Sequence, residues 1–118
     1  MLAAWKEREG PVVLVTVDGE RIPNAIYASI AHVLSDGRLA VADNYFEKTK
    51  SNIENGTKAS LLFITKNRKA YQIKGAIDYF AGGPLYEEML TWADPKHLRK
   101  GVAVLNAQQI FRGKDRLG

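Results

Sequence analysis

The sequence predicts a mainly β fold: a small antiparallel barrel of about six strands with two or three short helices. Short runs rich in β-branched residues recur along the 118-residue chain, close enough together that hairpins must join most of them. Turn residues punctuate these runs at Gly10-Pro11, Asp18-Gly19, Ser35-Asp36-Gly37 and Asn55-Gly56. Strands at this density favour closure over a flat open sheet, because closure removes exposed edges.

Leu2–Arg8 reads as a short amphipathic helix with Leu2 and Trp5 on one side, and Gly10-Pro11 ends it. Trp5 is expected to cap the barrel. Val12–Val17 is β-branched and apolar on both faces, hence a strand paired on both sides. Asp18-Gly19 signals a hairpin, and the return strand starts near Ile22. Pro23 within it marks an edge or a bulge, since proline cannot donate to a ladder. Small and apolar residues continue to Leu34, and Arg38–Ala42 makes a third strand.

Between Asn44 and Asn55 a helix of about three turns is expected, with Asn44 and Glu47 as a capping box and Asn55-Gly56 as its stop. Ser60–Thr65 is the fourth strand, closed by a turn at Lys66-Asn67-Arg68. In the fifth, Tyr71, Ile73, Ile77 and Tyr79 keep a period of two, and Gly75 in its middle marks a bulge or a barrel corner. Pro84 suits a first helical turn, so Leu85–Trp92 is a helix, broken by Asp94-Pro95. Val102–Phe111 is the last strand, and Arg112–Gly118 is expected to fray.

The chain reads as one domain over residues 1–118, with no linker, repeat or low-complexity tract. Its 46% apolar and 25% charged residues are those of an ordinary globular protein. No apolar run approaches the ~18 residues that cross a bilayer, and Met1–Trp5 is too short for a signal-peptide core. A cytoplasmic location with no membrane partner is therefore expected. The absence of cysteine excludes disulfides, thiolate metal sites and thiol catalysis. His32 and His97 stand far apart without carboxylates at ligand spacing, so neither a metal nor haem is expected. The net charge of +4 comes from bases that mostly alternate with acids, and no aromatic platform is interleaved with them. Nucleic acid is not an expected partner.

Asp43–Asn52 carries the clearest chemical signal: a helix start attracts a phosphate, Lys48 adds a charge and Thr49 a hydroxyl. Pro23-Asn24-Ala25-Ile26-Tyr27, Asp36-Gly37-Arg38-Leu39-Ala40-Val41 and Lys48-Thr49-Lys50-Ser51-Asn52-Ile53, in that order and spacing, resemble the pyridoxamine 5'-phosphate oxidase-like split barrels. Within these, the chain is similar to the small FMN-binding proteins, clearly from Gly10 to Gly75 and to Phe111 in element order.

The resemblance implies a split barrel that binds FMN as a homodimer, the second subunit covering the flavin. Asn24, Ala25, Ile26 and Tyr27 would pass the ring and ribityl chain. Ala42, Asp43 and Asn44 would approach the ring's polar edge, and Lys48 and Thr49 would hold the phosphate. Small side chains at Ala25 and Ala28 would let a flat ring approach the strand. The vitamin oxidases carry arginine where Asn24 stands, a basic residue where Thr49 stands, and a C-terminal substrate segment without a match here. Oxidation of pyridoxamine phosphate is therefore not expected. Electron transfer or NAD(P)H-linked reduction of a small acceptor is, with a nicotinamide or a redox protein as donor. The alternatives are a reductase using the deazaflavin coenzyme and a cofactor-free dimeric binding protein.

Overall fold

The computed structural model describes all 118 residues. In chain order the elements are α1 (Leu2–Lys6), β1 (Val12–Val17), β2 (Pro23–Ala28), β3 (Ala31–Val33), β4 (Leu39–Asp43), α2 (Lys48–Glu54), β5 (Lys58–Ile64), β6 (Ala70–Phe80), α3 (Pro84–Trp92), β7 (Gly101–Arg112) and β8 (Asp115–Arg116). Every strand pairing is antiparallel, in the order β2-β1-β5-β6-β7-β4-β3. The two outer strands, β2 and β3, are consecutive in the chain, separated only by Ser29 and Ile30. They are two halves of one bent strand, the first pairing with β1 and the second with β4. The sheet thus curls into a six-stranded barrel that is split where the halves part. Pro23 sits on an edge strand, where its missing N–H leaves no ladder bond unmade.

Alternation sorts the side chains. Val12, Leu14 and Thr16 of β1 point inward, while Val13, Val15 and Val17 lie half-buried on the outer face. The barrel interior holds Leu14, Leu61, Ile73, Ile77 and Leu105 among 16 buried residues. Each fully buried leucine or isoleucine stabilises the fold by roughly 1.5–3 kcal/mol. Strand β4 and residues 101–105 of β7 are buried on both faces, because Met89 of α3 and Ala93 just after it cover their outer side over Ala40, Ala42, Val102 and Val104. That double burial explains their unbroken apolar runs. Trp5 of α1 plugs the barrel end near the β5–β6 hairpin, edge-on to Phe63. The Arg8 guanidinium lies 4.1 Å over the Trp5 ring and donates to the carbonyls of Trp5 and Ala31.

Three expectations change. The helix α2 has two turns rather than three, and Glu47 precedes it without a side-chain cap. Asn44 is no capping-box partner, because its Oδ1 accepts the Arg99 N–H across the fold at 2.9 Å. The stop at Asn55-Gly56 forms, with Gly56 at φ 82. The C-terminal tail does not fray. Gly113 at φ 58 turns it into a short hairpin, β7 with β8, and the Leu117 N–H donates to the Ile110 carbonyl.

Gly75 is the corner the periodicity marked: the β6–β7 register shifts between Lys74 and Gly75. A Cβ there would lie 1.9 Å from the Asn106 carbonyl oxygen, a backbone atom that cannot swing aside. Gly75→Ala should lower unfolding free energy by about 1–3 kcal/mol in chemical denaturation. Gly19→Ala, with nothing within 4 Å of the added carbon, should change it by less than about 0.5 kcal/mol.

Candidate functional site

Where the bent strand passes the end of β4, the barrel wall opens into a cleft of about 360 Å³. The bend supplies Ile26, Tyr27, Ala28, Ser29 and Ile30. The end of β4 and the turn after it supply Ala42, Asn44, Tyr45 and Phe46, and the α3–β7 segment supplies His97. An edge strand turning from one neighbour to another cannot keep strict alternation. Consecutive residues therefore reach the same cleft. Its size falls in the usual range of small-molecule sites, about 300–1,000 Å³, and its lining is mostly apolar with a few polar groups, as such sites are.

The residues expected to touch a cofactor divide into two groups. Ile26, Tyr27, Ala42 and Asn44 line the cleft. Asn24, Ala25, Asp43, Lys48 and Thr49 do not. Ala25 lies exposed on the outer face opposite Val15. Asp43 alternates inward and has no solvent exposure: its Oδ1 accepts the Phe46 N–H at 2.8 Å, and its Oδ2 accepts the Tyr79 hydroxyl. Thr49 is 1% exposed, its Oγ1 accepting from the Asn24 amide at 3.2 Å. The hydroxyl assigned to a phosphate is thus turned inside and engaged. Asn24 is half-buried and makes the other half of that pair. A second buried pair, Asn52 donating to Thr16 at 3.0 Å, lies beneath the same helix. Lys48 remains exposed in the first turn of α2. Lys50, for which the sequence predicts no role, stands half-buried with its Nζ 5.1 Å from the Tyr79 ring centroid.

The cleft also takes residues that the sequence reading did not place there. Tyr45 and Phe46 directly follow Asn44 in the chain, so an extension of that segment would have included them. No local signal marks His97, which is 53 positions from Asn44. Trp92 lines no part of the cleft. It stacks on His32 at 5.1 Å beside the second core, with its indole Nε1 buried and unpartnered.

A split antiparallel barrel with a lateral cleft at its bent strand defines the class of this protein. The sequence profile of the pyridoxamine 5'-phosphate oxidase family matches residues 2–113, and the chain belongs to that family. It is 28% identical over 115 residues to an uncharacterized protein of Methanocaldococcus jannaschii, covering 92% of this chain and 77% of that one. Among solved structures, HupZ of Group A Streptococcus superposes with a TM-score of 0.82 at 23% identity, over 98% of this chain and 93% of that one. An FMN-binding protein of Syntrophomonas wolfei gives 0.68 at 17%, over 92% and 80%. A heme binding protein of Mycobacterium smegmatis gives 0.68 at 15%, over 91% of this chain and 49% of that one. At such identities the structures share a fold, and the ligand must be argued from the cleft.

Burial, and then the hydrogen bond to Asp43, push the Tyr79 hydroxyl well above its ordinary value of 10. The folded state therefore holds that proton more tightly than the unfolded chain. Tyr79's contribution to stability is complete below about pH 10 and is lost as pH rises beyond it. Tyr79→Phe should cost about 1–3 kcal/mol at neutral pH, because a buried oxygen of Asp43 loses its partner. Its stability should then fall less steeply than the wild type's above about pH 10, as followed by denaturant titration across pH.

Proposed function

We propose that the protein is a flavoprotein holding one FMN per subunit in the cleft at the split, and that it works as a homodimer. The flavin would cycle between oxidised and reduced forms, in electron transfer or in NAD(P)H-linked reduction of a small acceptor. The observation that carries this reading is the convergence of Ile26, Tyr27, Ala42 and Asn44, from two segments assigned to the flavin by resemblance, on one cleft.

The residues present fit most of such a cofactor. Ala28 and Ala42 are small enough for a flat ring to lie close to the backbone, and Ile26, Ile30 and Phe46 give it apolar walls. Lys48 would attract the phosphate, with Lys50 nearby in the helix. The Thr49 side chain, buried and bonded to Asn24, is turned away from that role. Bound FMN supplies the hydride or electron chemistry, and the protein's share is to position it and shield it from water. No carboxyl group lines the cleft, which suits hydride or electron transfer better than proton abstraction by a carboxylate base.

The outer face supports the dimer. Tyr27, Val13 and Leu62 lie side by side in register, with Val15 and Ala25 in the next row. Tyr27 is 79% and Leu62 40% exposed, and Ile64 extends the same apolar surface. A second copy seated there would border the cleft, because Tyr27 belongs to both. Leu62→Glu should convert a dimer to a monomer in analytical ultracentrifugation and weaken flavin retention with it.

A haem reading is favoured by one observation, an imidazole at an apolar cleft, and a common assay separates the two. The purified protein is titrated separately with FMN, with hemin and with the deazaflavin coenzyme, followed by absorption after removal of excess. Retained flavin bands at one per subunit support the proposal, and Lys48→Ala should then weaken FMN binding about three- to tenfold. A Soret band with no retained flavin would replace FMN by haem. Retention of the deazaflavin coenzyme alone would make the protein a deazaflavin-dependent reductase.

A further inference from the structure

We propose that His97, carried by residues 94–100 between α3 and β7, contacts the flavin ring directly and sets how tightly the cleft holds it. The inference rests on the flavin reading above and adds a residue that family resemblance does not assign.

The segment is held at both ends. At its start the Asp94 carbonyl accepts the His97 N–H and the Asp94 side chain accepts the Lys96 N–H, both at 3.0 Å. At its end Arg99 has φ 49, a left-handed conformation that costs a residue with a side chain roughly 1–2 kcal/mol. Both peptide groups of Arg99 are tied down. Its N–H donates to Asn44 Oδ1 at 2.9 Å, and its carbonyl accepts the Tyr86 hydroxyl at 3.1 Å. The next N–H, of Lys100, donates to the Asp43 carbonyl at 2.8 Å. Strain of this kind persists only where surrounding structure over-determines it, and such places cluster at ligand sites. Here β4 and α3 together fix the segment, and the residue it delivers to the cleft is His97.

The imidazole is half-buried, and the segment's hydrogen bonds run through Asp94, Asn44, Tyr86 and the backbone without using it. Other polar side chains at the cleft serve a buried ligand less well. Tyr27 and Tyr45 are 79% and 76% exposed, Ser29 is exposed, and the Asn44 carbonyl is taken by Arg99. A neutral imidazole both donates and accepts, matching a flavin edge that presents carbonyl oxygens beside a ring N–H. A hydrogen bond to the ring also alters its electronics.

The test compares wild type, His97→Ala, His97→Gln and His32→Ala by quenching of FMN fluorescence, with the bound flavin's absorption maxima read in each. His97→Ala should bind about tenfold more weakly and shift the maxima, His97→Gln should fall between, and His32→Ala should match wild type. Should His97→Ala melt early, His97→Gln carries the comparison. Wild-type binding that both His97 variants reproduce in affinity and spectrum overturns the inference and leaves the flavin reading standing. No binding by the wild type overturns both.

Discussion

Asp43 has no solvent exposure, and a carboxyl group removed from water costs several kcal/mol unless hydrogen bonds replace the water. Its two side-chain oxygens and its carbonyl are all engaged, by Phe46, Tyr79 and Lys100. These three partners lie in the turn before α2, in β6 and just before β7. One buried residue thus joins the end of β4 to three other parts of the chain. Gly101 shows how closely they meet, since a Cβ there would fall 2.4 Å from the Tyr79 hydroxyl. The cleft depends on this knot. Ala42 and Asn44, the neighbours of Asp43, point the other way along the alternating strand and line it.

The split in the barrel follows from a second constraint. A single strand, β2 continuing into β3, has to serve β1 at one end and β4 at the other, and it bends at Ser29 and Ile30 to do so. The Ile30 carbonyl accepts the Ala42 N–H, which pins the bend against β4. Backbone that leaves one ladder before joining the next cannot close the wall. The opening so made lies beside two alanines rather than bulky side chains. The same geometry that closes the barrel in sequence leaves room for a flat ligand in space.

Apart from Asp43 and Thr65, the buried polar side chains gather at the α2 end. Asn24 with Thr49 and Asn52 with Thr16 satisfy one another beneath the helix. Such pairs specify one docking of a short helix better than apolar contacts do, because a shifted register would orphan them. They also withdraw Thr49 from solvent, so Lys48 and Ser51, and not the Thr49 hydroxyl, are what the start of the helix presents outward.

Much of the fold was legible in the sequence because the signals are local. The β-branched runs, Pro23 at an edge, Gly75 at the corner and Pro84 in a first helical turn each act within a few residues, and each stands where its chemistry requires. The segments of the cleft, Ile26–Tyr27 and Ala42–Asn44, were legible through resemblance of order and spacing. What tertiary structure alone decided is where those segments turn their side chains. Asn44 reads as a helix cap until Arg99 claims it from 55 residues away. Thr49 reads as a ligand until Asn24 draws it inside. The tail reads as frayed until β7 pairs with β8, and His97 reads as isolated until α3 and β4 fix its segment at the cleft. Local propensity determined the strands and their corners. The partner of each polar side chain was decided by contacts far apart in the chain, because a hydrogen bond is satisfied by proximity in space and leaves no mark in the residues beside it.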